Sequence, residues 1–254
     1  MMSPPRARRN LNGPSEAAGA AAGGAEKREY VRTVFEQIAP RYDLLNHLLS
    51  LNIDRQWRRK TIAALGWERD PTGTYLDLCA GTMDVAAALA RTEGFSGRVM
   101  AADFAEPMLR AGRGKAPSGT ASPIVADALC LPLGDASIAG AIIAFGARNL
   151  AELDEGLREV RRVIRPGGRL VVLEFTTPRM PIVRAAYHAY FHYLLPIVGG
   201  IVSGHRTAYE YLPRSVSHFP PEEELVSRMQ YAGFSDVHYE ALTLGIAAIH
   251  VGSC

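Results

Sequence analysis

The sequence predicts an α/β domain: mostly parallel strands in one sheet, covered on both faces and closed by an antiparallel hairpin. Three observations predict it. Strand-length apolar runs alternate with helix-length amphipathic segments from residue 75 to residue 175, as β-α-β connections require. Those runs are apolar over most of their length, which marks strands buried on both faces. The last two β-rich runs, 237–242 and 246–252, are separated only by Thr243-Leu244-Gly245, a link too short for a parallel crossover.

The elements follow in order. Residues 1–26 are dominated by Ala, Gly, Pro, Ser and Arg. They cannot bury enough surface to offset ordering entropy, so they read as a disordered tail rather than a targeting peptide. A helical preface covers 27–66. Val31, Val34, Phe35 and Ile38 recur at helical spacing before Pro40; Leu44, Leu45, Leu48 and Leu49 mark a second helix, and Trp57, Ile62 and Leu65 a third. Strand 75–80 precedes helix 83–91, and strand 98–104 precedes helix 106–114. Strand 122–128 leads through LPLGDAS to strand 138–146. Helix 153–164 ends at Pro166-Gly167-Gly168, a turn sequence, before strand 169–175. Helix 221–232 then introduces the hairpin, so the main domain is 27–254.

The segment 178–220 holds seven of the chain's twenty aromatic residues: Tyr187, Tyr190, Phe191, Tyr193, Tyr209, Tyr211 and Phe219. It reads as an apolar lid over the site, the bland alternative being the core of a small subdomain.

Composition narrows the function. A net charge of +2 over 254 residues excludes the chain as a whole as an electrostatic partner of nucleic acid. Cys79, Cys130 and Cys254 show no metal or redox spacing and fit a reducing, cytoplasmic setting. The longest apolar run, 194–202, contains Pro196 and falls far short of the roughly 20 residues of a membrane span.

Chemistry first shows in YLDLCAGTMD, residues 75–84. A dinucleotide turn would carry G-x-G-x-x-G for backbone approach to a pyrophosphate; here Gly81 is alone, with Cys79 and Met83 where glycines would be. The turn suits a ligand without phosphate. Helix N-terminal amides and the Thr82 hydroxyl suit a carboxylate, and Asp77 or Asp84 an ammonium. Asp103 ends the second strand, where a carboxylate accepts from two ribose hydroxyls. Asp127 ends the third, placed to accept from an adenine amino group, with Ala128 and Leu129 against the ring. Together the three strand ends describe a nucleoside site for S-adenosylmethionine.

The sheet layout is similar to that of class I, Rossmann-like S-adenosylmethionine-dependent methyltransferases. VRTVFEQIAPRYDLLNHLLSLNIDRQWR, YLDLCAGTMDVA, FGARNL, IRPGGRLVVLEF and AYEYLPRSV resemble the ubiquinone/menaquinone biosynthesis C-methyltransferase family, from about residue 27 to 252. The resemblance implies methyl transfer from S-adenosylmethionine to a ring carbon of a prenylated quinol, demethylmenaquinol being preferred over a benzoquinol. Family cofactor contacts fall on Thr82, Asp103, Asp127 and Ala128. Ala144 departs from a pattern that often has serine, which predicts one missing hydrogen bond.

Quinol carbon becomes a good nucleophile as its neighbouring hydroxyl, with a pKa of about 10, loses its proton. Arg148 and Asn149 follow the fourth strand, where acceptor and methyl should meet. Arginine stays protonated, so Arg148 is expected to hold the developing phenolate while water takes the proton. Tyr42 reads either as a second donor to that oxygen or as a packed ring.

Three features get bland readings. His188 and His192 are four apart, but Ala189 stands where a zinc-binding H-E-x-x-H has its Glu, so no metal is expected. Arg55-Gln56-Trp57-Arg58-Arg59-Lys60 reads as a solvated helix face rather than a phosphate or nucleic-acid patch, and attraction to an anionic membrane surface would suit a lipid substrate. Cys79 reads as a small buried apolar group. A homodimer stays open, as do an enzyme acting on another small aromatic or lipid acceptor, an NAD-binding oxidoreductase and a non-catalytic cofactor-binding scaffold.

Overall fold

The computed structural model describes residues 24–39, 42–43, 50, 52–190 and 206–254. Parallel strands β1 (Thr74–Leu78), β2 (Arg98–Asp103), β3 (Ala121–Val125), β4 (Ile138–Ala144) and β5 (Ile164–Phe175) are followed by β6 (Ser235–Leu242) and β7 (Ala247–Ser253). The sheet order is β3-β2-β1-β4-β5-β7-β6, with β7 antiparallel to both its neighbours. The terminal hairpin is therefore as expected, and β7 inserts beside β5.

Strand alternation divides the core. Tyr75, Ile142, Val171 and Leu173 face one side, against Trp57, Ile62 and Leu65 of α2 (Ile53–Leu65) and Val85 and Leu89 of α3 (Asp84–Ala90). Leu76, Leu78, Ile143 and Val172 face the other, against Leu157 and Val160 of α5 (Leu153–Val163) and Leu225 and Met229 of α8 (Glu222–Tyr231). The inner strands β1, β4, β7 and the second half of β5 are buried on both faces, the reason their sequences are almost continuously apolar. The edge strands β3 and β6 are largely exposed.

Some boundaries differ. Helix α1 (Gly24–Ile38) takes Gly24–Glu26 out of the expected tail; residues 1–23 lie outside the described residues, as do Leu44, Leu45, Leu48 and Leu49 of the expected second helix. Helix α4 (Glu106–Ala111) stops early. Strand β3 ends at Val125, so Asp127 lies in the following turn, bridged to Cys130. Pro166-Gly167-Gly168 does not precede β5 but interrupts it: β4 pairs with Ile164 and again from Arg169, across a register shift, the local distortion a β-bulge makes.

In the 178–220 segment, α6 (Pro181–Ala189) and α7 (Arg206–His218) bring buried Tyr187 and Tyr211 against Tyr30, Val31, Val34 and Ile38 of α1. The Tyr30 and Tyr211 rings lie 5.5 Å apart. These two rings build a core with the preface. Phe191 and Tyr193 lie outside the described residues, as does the side chain of Tyr209.

Candidate active site

Sheet order reverses between β1 and β4, and ligand crevices open beyond the carboxyl ends of strands at such a point. A cleft open to solvent lies there. Gly81, Asp103, Asp127, Ala128, Tyr42 and Asn149 all line it. Six residues read from the sequence thus meet in one place.

The turn after β1 is strained. Cys79, Gly81 and Met83 all have positive φ, at 57°, 52° and 65°; only glycine adopts this region freely, and such outliers cluster at functional sites. Close packing enforces the bend, since a Cβ on Gly146 would come within 2.3 Å of the Cys79 Cβ. Cys79 lines the cleft and, half-buried, packs against the core. Desolvation and neighbouring carboxylates push its thiol well up.

Asp103 anchors this turn to the second strand. Its Oδ2 accepts the Gly81 amide at 2.8 Å and its Oδ1 the Ala105 amide at 2.9 Å. Burial raises the carboxyl pKa, while the backbone donors oppose the rise. An ionised carboxylate has about four acceptor positions. With backbone donors on both oxygens, the remaining acceptor capacity faces the cleft, so the site fits the ribose of S-adenosylmethionine. Asp127 is already engaged: Oδ1 accepts from the Leu129 amide at 3.1 Å, and Oδ2 pairs with Arg28 of α1. Arg28 also lines the cleft, a contact invisible from a sequence that placed it next to the tail. Ala128, Leu129 and Ala126 supply the apolar flank. Ala144 is there too, without the hydroxyl a serine would bring.

Three expected contacts are spent elsewhere. Asp77 is 2% exposed and lies beneath the turn, accepting the Ala86 amide at 2.9 Å and so stitching α3 to β1. Burial pushes its carboxyl up to about 7. Thr82 donates to Asp43 at 2.5 Å, Asp43 pairs with Lys115, and Lys115 with Asp84 at 2.7 Å. Neither Asp77, Thr82 nor Asp84 lines the cleft.

Arg148 is the main correction. The 3₁₀ turn Ala147–Asn149 sends Asn149 to the cleft and Arg148 inward. Arg148 Nη1 donates to Glu174 Oε1 at 2.7 Å and to the Phe145 carbonyl, while Nε donates to Ser215 Oγ at 3.3 Å. Glu174 is fully buried and also accepts the Arg148 amide. A buried carboxylate demands a charged, multiply hydrogen-bonded partner, and this demand holds the guanidinium away from the cleft. Asn149 Oδ1 accepts from Tyr211 at 3.3 Å. Residues 211 and 215, one helical turn apart on α7, thus hold Asn149 and Arg148 respectively. Glu174, Ser215 and Asp43 were not singled out from the sequence, because their partners are distant in it.

Tyr42 has two surroundings. It lines the cleft and packs against Phe35 at 6.0 Å. On α2, Arg55, Gln56, Arg59 and Lys60 are exposed while Trp57 is buried, as a solvated face predicts. His192 lies outside the described residues, among which no metal-binding group of side chains is found.

Comparison with known proteins agrees with this geometry. A chain of the complex between the Haloferax volcanii Trm112 methyltransferase activator and a methyltransferase superposes with a TM-score of 0.62 at 17% identity, covering 86% of this chain and 96% of that one. An S-adenosylmethionine-dependent methyltransferase of Thermotoga maritima gives 0.61 at 18% identity, covering 88% and 99%. Both show the fold. The sequence is 48% identical over 221 residues to the demethylmenaquinone methyltransferase of Thermus thermophilus, covering 86% of this chain and 99% of that one. It is 41% identical over 231 residues to a ubiquinone/menaquinone biosynthesis C-methyltransferase of Geobacter sulfurreducens, covering 89% of each. The model of the ubiE/COQ5 methyltransferase family matches residues 24–254. The oxidoreductase and scaffold alternatives fall with these matches: the chain belongs to the ubiE/COQ5 methyltransferase family.

Proposed function

We propose that the protein methylates a ring carbon of a reduced, prenylated quinone, with demethylmenaquinol as the acceptor. The observation that carries this reading is the shared cleft, in which Asp103 and the Ala126–Leu129 wall meet Asn149 and Tyr42.

Asp103 is the residue that would hold the ribose, and Asp127 with Ala128 the adenine. S-adenosylmethionine, when bound there, supplies an electrophilic methyl group on a sulfonium. The reaction forms a carbon–carbon bond, breaks the carbon–sulfur bond and loses the ring proton to water.

The chain's own residues prepare the acceptor. Asn149, fixed by Tyr211, and Tyr42 are the polar groups that would meet the quinol oxygen. A preorganised donor stabilises the oxygen as it gains negative charge, and does so most strongly where water is excluded. Phe35, Phe104 and Phe145 in the cleft wall provide that exclusion. Arg148 acts from behind, fixing the turn that presents Asn149. The prenyl tail is assigned to the 178–220 segment, whose described rings cover α1 beside the cleft, and substrate access is assigned to the membrane surface. A strain lacking this protein should accumulate demethylated quinone, restored by the wild-type chain; an unchanged quinone profile would reject the acceptor.

A further inference from the structure

Five large apolar side chains are exposed among the described residues: Val125, Met180, Ile182, Tyr231 and Leu244. Scattered singly they would mean little. Three of them share one rim. Thr176 Oγ1 donates to the Gly245 carbonyl at 2.8 Å, and the Thr176 amide to that of Ile246 at 3.0 Å. A Cβ on Gly245 would lie 3.6 Å from Pro178 Cα. The turn carrying Leu244 is thus fastened to the segment that carries Met180 and Ile182, both within about 15 Å of Pro178 by chain length alone. Their exposures are 67%, 56% and 84%. Leu244 moreover has φ 59°, a left-handed conformation uncommon for a bulky residue, with its side chain turned to solvent.

Neighbouring elements carry exposed cations. Trp57 Nε1 donates to Thr243 Oγ1 at 2.9 Å, which docks the start of α2 on the same turn. The outer face of α2 carries exposed Arg55 and Arg59, and α6 carries exposed Arg184. None of the three has a carboxylate partner among the described residues, whereas Asp54, Glu223 and Glu240 are paired with Arg58, Arg179 and Lys60. The rim lies where β5 ends and β7 begins, the edge of the sheet at which the cleft opens.

We propose that this rim docks the enzyme on an anionic lipid surface. Met180, Ile182 and Leu244 enter the headgroup boundary, and Arg55, Arg59 and Arg184 lie over lipid phosphates. Apolar tips flanked by unpaired cations are the composition of an interfacial contact. The inference rests on the prenylated acceptor proposed above, which concentrates in the bilayer. No helix among the described residues is long and apolar enough to cross a membrane.

Flotation of the full chain with phosphatidylcholine vesicles, plain or containing roughly one-third phosphatidylglycerol, tests this. Binding is expected only to the anionic vesicles and should weaken as salt is raised. Ile182→Asp with Leu244→Asp, and separately Arg55→Glu with Arg59→Glu, should each lower the bound fraction roughly tenfold. Tyr231→Asp, at the opposite edge of the sheet, should not. Thermal melts establish that each variant is folded. For Leu244→Asp alone and for the arginine pair, turnover of vesicle-embedded quinol should fall with binding, while that of a short-tailed quinol in solution stays unchanged. Absence of flotation, flotation indifferent to the rim variants, or rim variants that instead dissociate a homodimer would each overturn the proposal. Vesicle binding without quinol methylation would leave the surface standing and reject the acceptor; methylation in detergent without vesicle binding would do the reverse.

Discussion

Arg148 and Glu174, 26 positions apart in sequence, form a buried ion pair at 2.7 Å, with side chains 8% and 0% exposed. The pair closes the turn that leaves β4, where Phe145 sits at φ 59° with its carbonyl capped by the same guanidinium. Removing one partner strands the other charge in the interior, which costs about 3–5 kcal/mol. Glu174→Gln should therefore lower unfolding stability by an amount of that order, measured by denaturant titration. A loss under about 1 kcal/mol would mean that water reaches the pair.

Arg148→Lys separates two roles for the arginine. Lysine keeps the charge but cannot bridge Glu174, Phe145 and Ser215 in one plane. Turnover should fall roughly 10²-fold, the scale of losing a preorganised donor, with S-adenosylmethionine affinity retained. If the guanidinium stabilised the phenolate directly, raising the pH would restore the rate by ionising the quinol. Acting through Asn149, the donor to that oxygen, it predicts the same rescue, so a double-mutant cycle with Asn149→Ala decides between them. Single-turnover rates should show no further loss from Arg148→Lys in that background if it acts only through Asn149, and a multiplied loss if it acts directly.

Asp103→Ala removes the carboxylate proposed to accept from the ribose and the anchor of the Gly81 amide. Calorimetry should show S-adenosylmethionine binding weakened by at least about 1.5–3 kcal/mol, the value of hydrogen bonds to a charged group. Unchanged affinity would remove Asp103 from the site.

Asp77 predicts a pH dependence of stability. In the unfolded chain it ionises near 3.8, and in the folded protein at about 7. Between these values folding takes up a proton, so its contribution to stability declines as pH rises and levels off above 7. The full span is on the order of 4 kcal/mol. Asp77→Asn still offers Ala86 an acceptor but does not titrate. The variant's melting temperature should gain on wild type from pH 4.5 to pH 7.5, while common contributions such as buried His250 cancel. A constant difference would show that Asp77 is ionised throughout.

What the sequence made legible follows from locality. Strand alternation, the hairpin link and the Asp103 strand end are each written within a few residues, and each is found. Asp127 was read as a strand end because VADA continues the apolar pattern, yet the β2–β3 pairing stops at Val125. Arg148 was read correctly as following β4, but which way its side chain points depends on Glu174 and Ser215, 26 and 67 positions away. Glu174 itself looked like one residue of an apolar strand. Long-range pairing of charges has no periodicity to reveal it.

The central claim is carbon methylation of a reduced ring. Incubate the enzyme anaerobically with methyl-labelled S-adenosylmethionine and demethylmenaquinol, beside a parallel reaction with the oxidised quinone, and locate the label by carbon NMR. The account predicts label on a ring carbon, with the quinol only. Label on oxygen, equal transfer to the oxidised quinone, or no transfer to either would contradict it.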